Sequence, residues 1–387
     1  MLGSMTEILD RPLAPDVPLS RSSAKRRSEA FAHITPNWFA AVMGTGIVAT
    51  SAISVAGDLS AVRGFATAIW LLAALLLVVI TAAFGVHWVR HPVQARRYAA
   101  DPVMVQFYGA IPMALLTVGA GTITVGSSIL GTGAAVVVDA ALWSVGTLAG
   151  VCTAIAVPFL MMTRHRRRSD LVALPAWLMP VVPPMVSATT GALLVDHVPA
   201  GQWRVGFLLL CYLLFGLSLF LGLITLSMIY GRLVHGTVPT GCAAPTIWIT
   251  LGVIGQSVTA ANSLAAHVDS ALAWYSSDSH TIATGLRIFG VGYGVAATGL
   301  GIVMFALATA VTVHNIRRSM PFALTWWSFT FPIGTCVTGL AALGTALDST
   351  MFRIAAALLL GVLVTAWTTV FTRTVAAVLD GRLPAAA

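Results

Sequence analysis

The sequence predicts an all-α integral membrane protein of ten transmembrane helices, and three observations predict it. Charged residues make up 9% of the 387 positions and hydrophobic ones 58%, whereas a soluble domain carries about 25% charged residues. Ten apolar runs are long enough to cross a bilayer, and the basic residues between them fall almost wholly on one side. The partner that solvates such a chain is lipid.

Residues 1–34 lack an apolar run and hold Arg21, Lys25, Arg26 and Arg27. They read as a cytoplasmic tail without a cleavable leader. Beside a span, a basic stretch is a topology signal rather than a nucleic-acid patch. A membrane helix needs about 20 apolar residues. Runs of that length stand at roughly 37–57, 64–86, 103–126, 135–162, 171–194, 204–229, 244–266, 282–313, 321–346 and 353–376. Residues 35–378 thus form one transmembrane domain, followed by a tail at 379–387, and short joints make hairpins of consecutive spans. With the amino terminus inside, 17 of the 21 basic residues lie inside and only Arg63, Arg204, Arg287 and Arg353 outside. Both termini are therefore expected in the cytoplasm, the chain crossing the cytoplasmic membrane many times.

The spans are of two kinds. Pro112 interrupts the third, Pro180, Pro183 and Pro184 the fifth, and Pro332 the ninth. The first carries Gly44 and Gly46, the seventh Gly252 and Gly255, while Pro158 is the one proline in an even span. Helix-breaking residues at membrane depth need protein or water beside them. Odd spans are accordingly expected to face a central pathway, with kinks at Pro112, Pro183 and Pro332, and even spans to form an outer ring. Tight helix packing is the plainer use of the glycines. Four even spans begin with an arginine, and the spacing Asp58…Arg63 recurs as Asp348…Arg353. These arginines either attract anions to the outer mouth or snorkel to lipid phosphates.

By this reading all 13 acidic residues and all nine histidines fall in loops, tails or helix ends. Gln106, Gln256 and Asn262 are the strongly polar side chains of the odd spans, with many Ser and Thr. Coupled carriers usually need an intramembrane carboxylate or histidine, and cation pathways an acidic ring or carbonyl filter. Neither is visible. Hydroxyls, amides and helix amino termini suit a small anion, moving down its gradient. HExxH, GxSxG and GxxxxGK[ST] are absent, so neither an enzyme nor a cofactor is expected. The four cysteines are scattered without CxxC spacing, which gives no sign of a metal site.

Two segments carry a resemblance: Pro36-Asn37-Trp38-Phe39-Ala40-Ala41-Val42-Met43-Gly44-Thr45-Gly46 and Trp326-Trp327-Ser328-Phe329-Thr330-Phe331-Pro332-Ile333-Gly334-Thr335. Both resemble signatures of the tellurite-resistance/dicarboxylate transporter family, within the slow anion channel superfamily, with Pro175-Ala176-Trp177 to Pro180 adding to the match. The Met43-Gly44-Thr45-Gly46 form is nearer the sulfite efflux and malic acid transporter branch. The resemblance implies a homotrimer whose protomers each hold a pore, built from five helical hairpins in pseudo-fivefold order. It also implies a ninth-span phenylalanine plugging that pore, Phe331 here, with Phe329 as fallback. Trp326 and Trp327 read as interfacial anchors. Pore-lining candidates are Thr45, Gly46, Ser187, Thr189, Gln256, Ser257, Asn262 and Thr335. The implied cargo is sulfite or a C4-dicarboxylate such as malate, passed by a channel or by a proton-coupled carrier.

Overall fold

The computed structural model describes residues 31–57, 59–164, 173–273 and 279–380. The expected tails up to residue 30 and from residue 381, the loop residues Arg166, Arg167 and Arg168, and Asp58 lie outside them. Every regular element among the described residues is helical. The main helices are α1 (Phe39–Ala56), α2 (Ser60–Arg90), α3 (Ala110–Gly121), α4 (Thr132–Thr163), α5 (Pro183–Ala192), α6 (Gln202–His235), α7 (Ile249–Ala266), α8 (Ser279–Ile316), α9 (Phe331–Ala346) and α10 (Thr350–Leu379).

The even helices run unbroken for 30 to 38 residues. An element facing lipid must satisfy every backbone group within itself, and a continuous helix does so. The odd helices are shorter, and each is led in by a 3-10 segment: Pro36–Trp38, Met104–Gly109, Pro175–Leu178, Gly241–Trp248 and Leu324–Phe329. The prolines expected at kinks take definite helical positions. Pro183 is the first residue of α5, Pro332 the second of α9 and Pro112 the third of α3. In a first turn the missing N–H has no intrahelical partner to lose. These prolines mark where 3-10 winding becomes α.

Lead-ins included, nine helices among the described residues are long and apolar enough to cross a membrane. The expected fifth span is not one of them. Its prolines divide it into the 3-10 turn Pro175–Leu178 and the ten-residue α5. Leu178, Met185 and Ala188 are fully buried, so its interrupted backbone meets protein rather than lipid.

Each odd helix packs on two others, α1 on α3, α3 on α5, α5 on α7, α7 on α9 and α9 back on α1, which closes a cycle. The five lead-ins touch in the same cyclic order and make a collar at the amino-terminal end of the odd helices. Each even helix lies outside against the odd helix before it. In the most apolar stretch of Gly241–Ala266, 83% of residues are buried, against 22% in Ser279–Ile316. Small residues let the inner backbones approach. A methyl group on Gly255 would come within 2.6 Å of the Cys336 backbone nitrogen.

The arginines that open the even helices tie down the joints opposite the collar. Arg353 pairs with Asp348 at 2.6 Å, Arg287 pairs with Asp269, and Arg63 donates to the Gly57 carbonyl. Arg204 donates to the carbonyls of Val198, Asp196 and Ser270. Asp196 in turn accepts from Ser270 Oγ at 2.6 Å and pairs with His267 Nδ1 at 2.9 Å. These bonds latch the α5–α6 joint to the α7–α8 joint. Burial alone would raise the Asp196 carboxyl, but the Ser270 hydrogen bond, His267 and the Arg204 charge outweigh it and hold it below the ordinary carboxyl value. A group depressed on folding stabilises above its unfolded value and loses that contribution as pH falls through the folded one. Asp196→Asn is therefore expected to loosen the latch at neutral pH, read as faster hydrogen exchange at residues 195–198 and 267–270. The wild-type protein should match it only in strong acid.

Candidate functional site

Two voids lie inside the cycle of odd helices. The smaller, about 20 Å³, sits within the collar, against Met43 of α1, Met113 of α3, Ile249 of α7 and the residues Phe331 and Pro332 of α9. That is room for about one water molecule. The larger, about 310 Å³, extends toward the carboxy-terminal ends of the same helices. Phe331 borders both and is 2% exposed. Its position follows from local sequence: Thr330 leaves the 3-10 turn at φ −95° and ψ −70°, and α9 starts at the very next residue with Pro332 fixing its first turn. The bulky ring is thus carried at the start of a rigid helix. Phe329, the fallback, borders neither void. It packs edge-on against Trp248 and Trp326, with ring centroids 5.7 and 5.8 Å away.

All five odd helices wall the larger void, and they do so in one register. Ile47, Thr50 and Ser54 come from α1; Thr117 and Ala120 from α3, with Thr124 just beyond it; Gln256, Thr259 and Ser263 from α7. Helix α5 contributes Val186 and Thr189, with Leu193 just beyond it, and α9 contributes Thr338, Ala341 and Thr345. Steps of three and then four residues keep one stripe of a helix facing one way. Among the described residues, no Asp, Glu, His, Lys or Arg borders either void. Most of the hydroxyls donate to a carbonyl one turn earlier, as Thr117 does to Met113 at 2.6 Å and Thr189 to Met185 at 3.1 Å. Gln256, 3% exposed, has a side-chain oxygen with no hydrogen-bond partner. The lining is neutral, a mix of apolar side chains and hydroxyls that mostly bond back to their own helices, with the Gln256 oxygen left over. Beside the collar, five helix amino termini converge on the constriction and contribute partial positive charge.

Of the eight pore-lining candidates, Thr189 and Gln256 border the larger void. The other six sit elsewhere, for reasons of helical phase: a neighbouring position points about 100° away. Thr45 accepts a hydrogen bond from Trp367 of α10 at 3.1 Å, and Gly46 meets Thr117. The Ser187 hydroxyl bonds back to Pro183, and Ser257 accepts from Tyr293 of α8 at 2.7 Å. Asn262 donates to Gly290 of α8 at 3.1 Å, and Thr335 to Pro332 at 2.7 Å. The missed hydroxyls, Thr50, Ser54, Thr117, Thr124, Thr190, Thr259, Ser263, Thr338 and Thr345, carry a signal that sequence reasoning could have used. It is an i, i+3, i+7 stripe with at least one hydroxyl in each odd span.

Two other expectations need correction. Trp327 is no interfacial anchor: it is 1% exposed and donates to Thr374 of α10 at 3.2 Å. Trp326 lies under the Arg373 guanidinium at 5.2 Å. Nor do all acidic residues stay at the ends, since Asp139, eight residues into α4, is fully buried and faces α3.

Residues 33–375 match the family model described as voltage-dependent anion channel. A protein named sulfite efflux pump in the fungus Arthroderma otae is 25% identical over 91% of this chain and 93% of its own length. The sulfite efflux pump of Trichophyton rubrum is 24% identical over the same shares. An archaeal protein of Methanocaldococcus jannaschii, called an uncharacterized transporter, is 28% identical over 79% of this chain and 82% of its own.

Proposed function

Because this chain belongs to the voltage-dependent anion channel family, we propose that it passes sulfite, or C4-dicarboxylates such as malate, down their gradient through the two voids, gated by Phe331. The observation that carries this reading is the place of Phe331, whose ring borders both voids at the point where the passage narrows. An aromatic ring across a narrow apolar gap blocks by bulk and by dewetting.

The neutral wall supports an anion. A permanent buried cation would hold an anion too tightly to release it, whereas conduction needs binding that is weak enough to leave. A threonine hydroxyl can swing from its backbone carbonyl to a passing anion, at a net cost of about 1 kcal/mol. Sulfite is favoured by the name that several relatives carry. The closed cycle of odd helices, each backed by an even one, supports five hairpins in pseudo-fivefold order around the pore and ten spans, with α5 and its lead-in as the fifth. In this reading the collar and both termini face the cytoplasm, and residues 35–378 form the transport domain of a homotrimer in the cell membrane.

Reversal potentials in planar bilayers test the mechanism, and radiolabelled sulfite, malate, nitrate and chloride in proteoliposomes test the cargo. We expect the reversal potential to follow the anion gradient alone, with sulfite or malate the fastest species. A reversal potential that moves with the proton gradient would identify a proton-coupled carrier of the same anions and reject the channel.

A further inference from the structure

Asp139 has no part in the pathway just described, yet its surroundings are unusual for a carboxyl group. It is 0% exposed, and neither of its side-chain oxygens has a hydrogen-bond partner among the described residues. The contact across from it is Gly119 of α3, so tight that a methyl group on that glycine would overlap the Asp139 carboxyl, with Leu142 beside it. Among the described residues no charge compensates it. Helix α3 and the segment 122–130 contain no ionisable residue, nor does α5; within α4 the other one is Cys152, and Tyr108 stands at the far end of the α3 lead-in. From α6, which meets α4 through the Phe207–Trp143 ring contact, Cys211 lies by Gly191 and Trp143, and Arg204 is bonded to three carbonyls. Arg63 of α2 is bonded to Gly57. A bare carboxylate in such a place is strongly disfavoured, and a neutral acid is the form that fits.

Gly119 lies on the back of the wall that Thr117, Ala120 and Thr124 present to the larger void. Two residues of α-helix turn the chain by about 200°, so Asp139 touches the same helix from behind. The backbone there is not regular: Thr122–Gly126 is a π turn, braced on its other side by Trp70 against Gly121 and Gly126. Such turns place an extra residue in a helix and commonly accompany functional sites.

We propose that Asp139 is a proton-binding site that controls the α3–α4 seam and, through it, the wall of the anion path. With its proton in place the seam closes as observed. When the proton leaves to water, the carboxylate needs hydration that the closed seam denies, so the population shifts to an opened seam in which Thr117 and Thr124 are displaced and anions pass faster. The proton acts from behind the wall and does not travel with the anion. The effect on flux rests on the transport reading above, while the proton site itself does not.

The full-length protein in proteoliposomes tests both parts. Wild-type sulfite flux should rise by about tenfold from about pH 5 to about pH 9, a coupling of ordinary size, with no proton-dependent shift in reversal potential. Asp139→Asn, an uncharged near-isostere, should stay at the low acid-side flux across that range. A wild-type flux that ignores pH, or an Asn variant that keeps the wild-type profile, overturns the regulation. Infrared difference spectra across the same pH range, taken without any anion substrate, should show a protonated-carboxyl band that titrates and is missing from Asp139→Asn. If that band is absent from the wild type or persists in the variant, the proton site is refuted. If it titrates as expected but no anion crosses at any pH, the site stands and the transport reading fails.

Discussion

Phe331→Ala is expected to raise anion flux by about tenfold or more, the effect of lowering a barrier by about 1.4 kcal/mol. The ring separates a void of about 20 Å³ from one of about 310 Å³, and a methyl group in its place joins them into one wetted passage. Truncating a buried phenylalanine usually costs about 3–5 kcal/mol of stability through the cavity it leaves. Here part of that cost is spared, because voids already flank the ring and the enlarged space can fill with water. Two readouts keep the outcome clear: flux per correctly assembled molecule, and thermal unfolding in detergent. Unchanged flux in folded protein would remove Phe331 from the gate. Phe329→Ala makes a good control, since Phe329 packs on Trp248 and Trp326 and borders neither void. It should lower stability without opening the path.

Gly109→Ala is expected to be the most destructive single substitution in the collar, costing about 3 kcal/mol or more as an overpacked site. Gly109 closes the 3-10 lead-in of α3, and its α-carbon packs against the main chain at Met179 and Pro180, just after the lead-in of α5. A methyl group there collides with the Met179 carbonyl and the Pro180 backbone. Neither can rotate away as the tip of a side chain would. The strain falls on contacts between adjacent lead-ins, so the collar should lose its fit around the smaller void. The expected result is a much lower yield of monodisperse protein and a lower unfolding temperature, which sulfite does not restore. Gly64→Ala, at a glycine with open space around it, should be close to neutral. A stable Gly109→Ala protein would mean that the collar is looser than its packing indicates.

Much of this protein was legible in its sequence, because a bilayer enforces simple rules. Apolar runs of sufficient length had to become helices, since no other open structure satisfies its backbone in lipid. That argument alone gave the long even helices α2, α4, α6, α8 and α10. The placement of proline and glycine in odd segments likewise told which helices would be buried. The resemblance around Trp326 to Thr335 singled out Phe331.

Only the tertiary structure decided the rest. Sequence could not say that Pro112, Pro183 and Pro332 begin α-helices after 3-10 turns, because proline is equally compatible with a kink and with a first turn. It could not fix the phase of each inner helix: Thr45 and Ser187 are hydroxyls as suitable as Thr50 and Thr189, yet they point at Trp367 and Pro183 rather than into a void. Asp139 looked like a helix-end residue from its position, and became a buried, unpartnered acid only when α3 closed over it. Composition and periodicity determined what each segment is. Which side of a helix meets a neighbour and which meets empty space depends on five backbones closing a cycle, and no single stretch of chain contains that information.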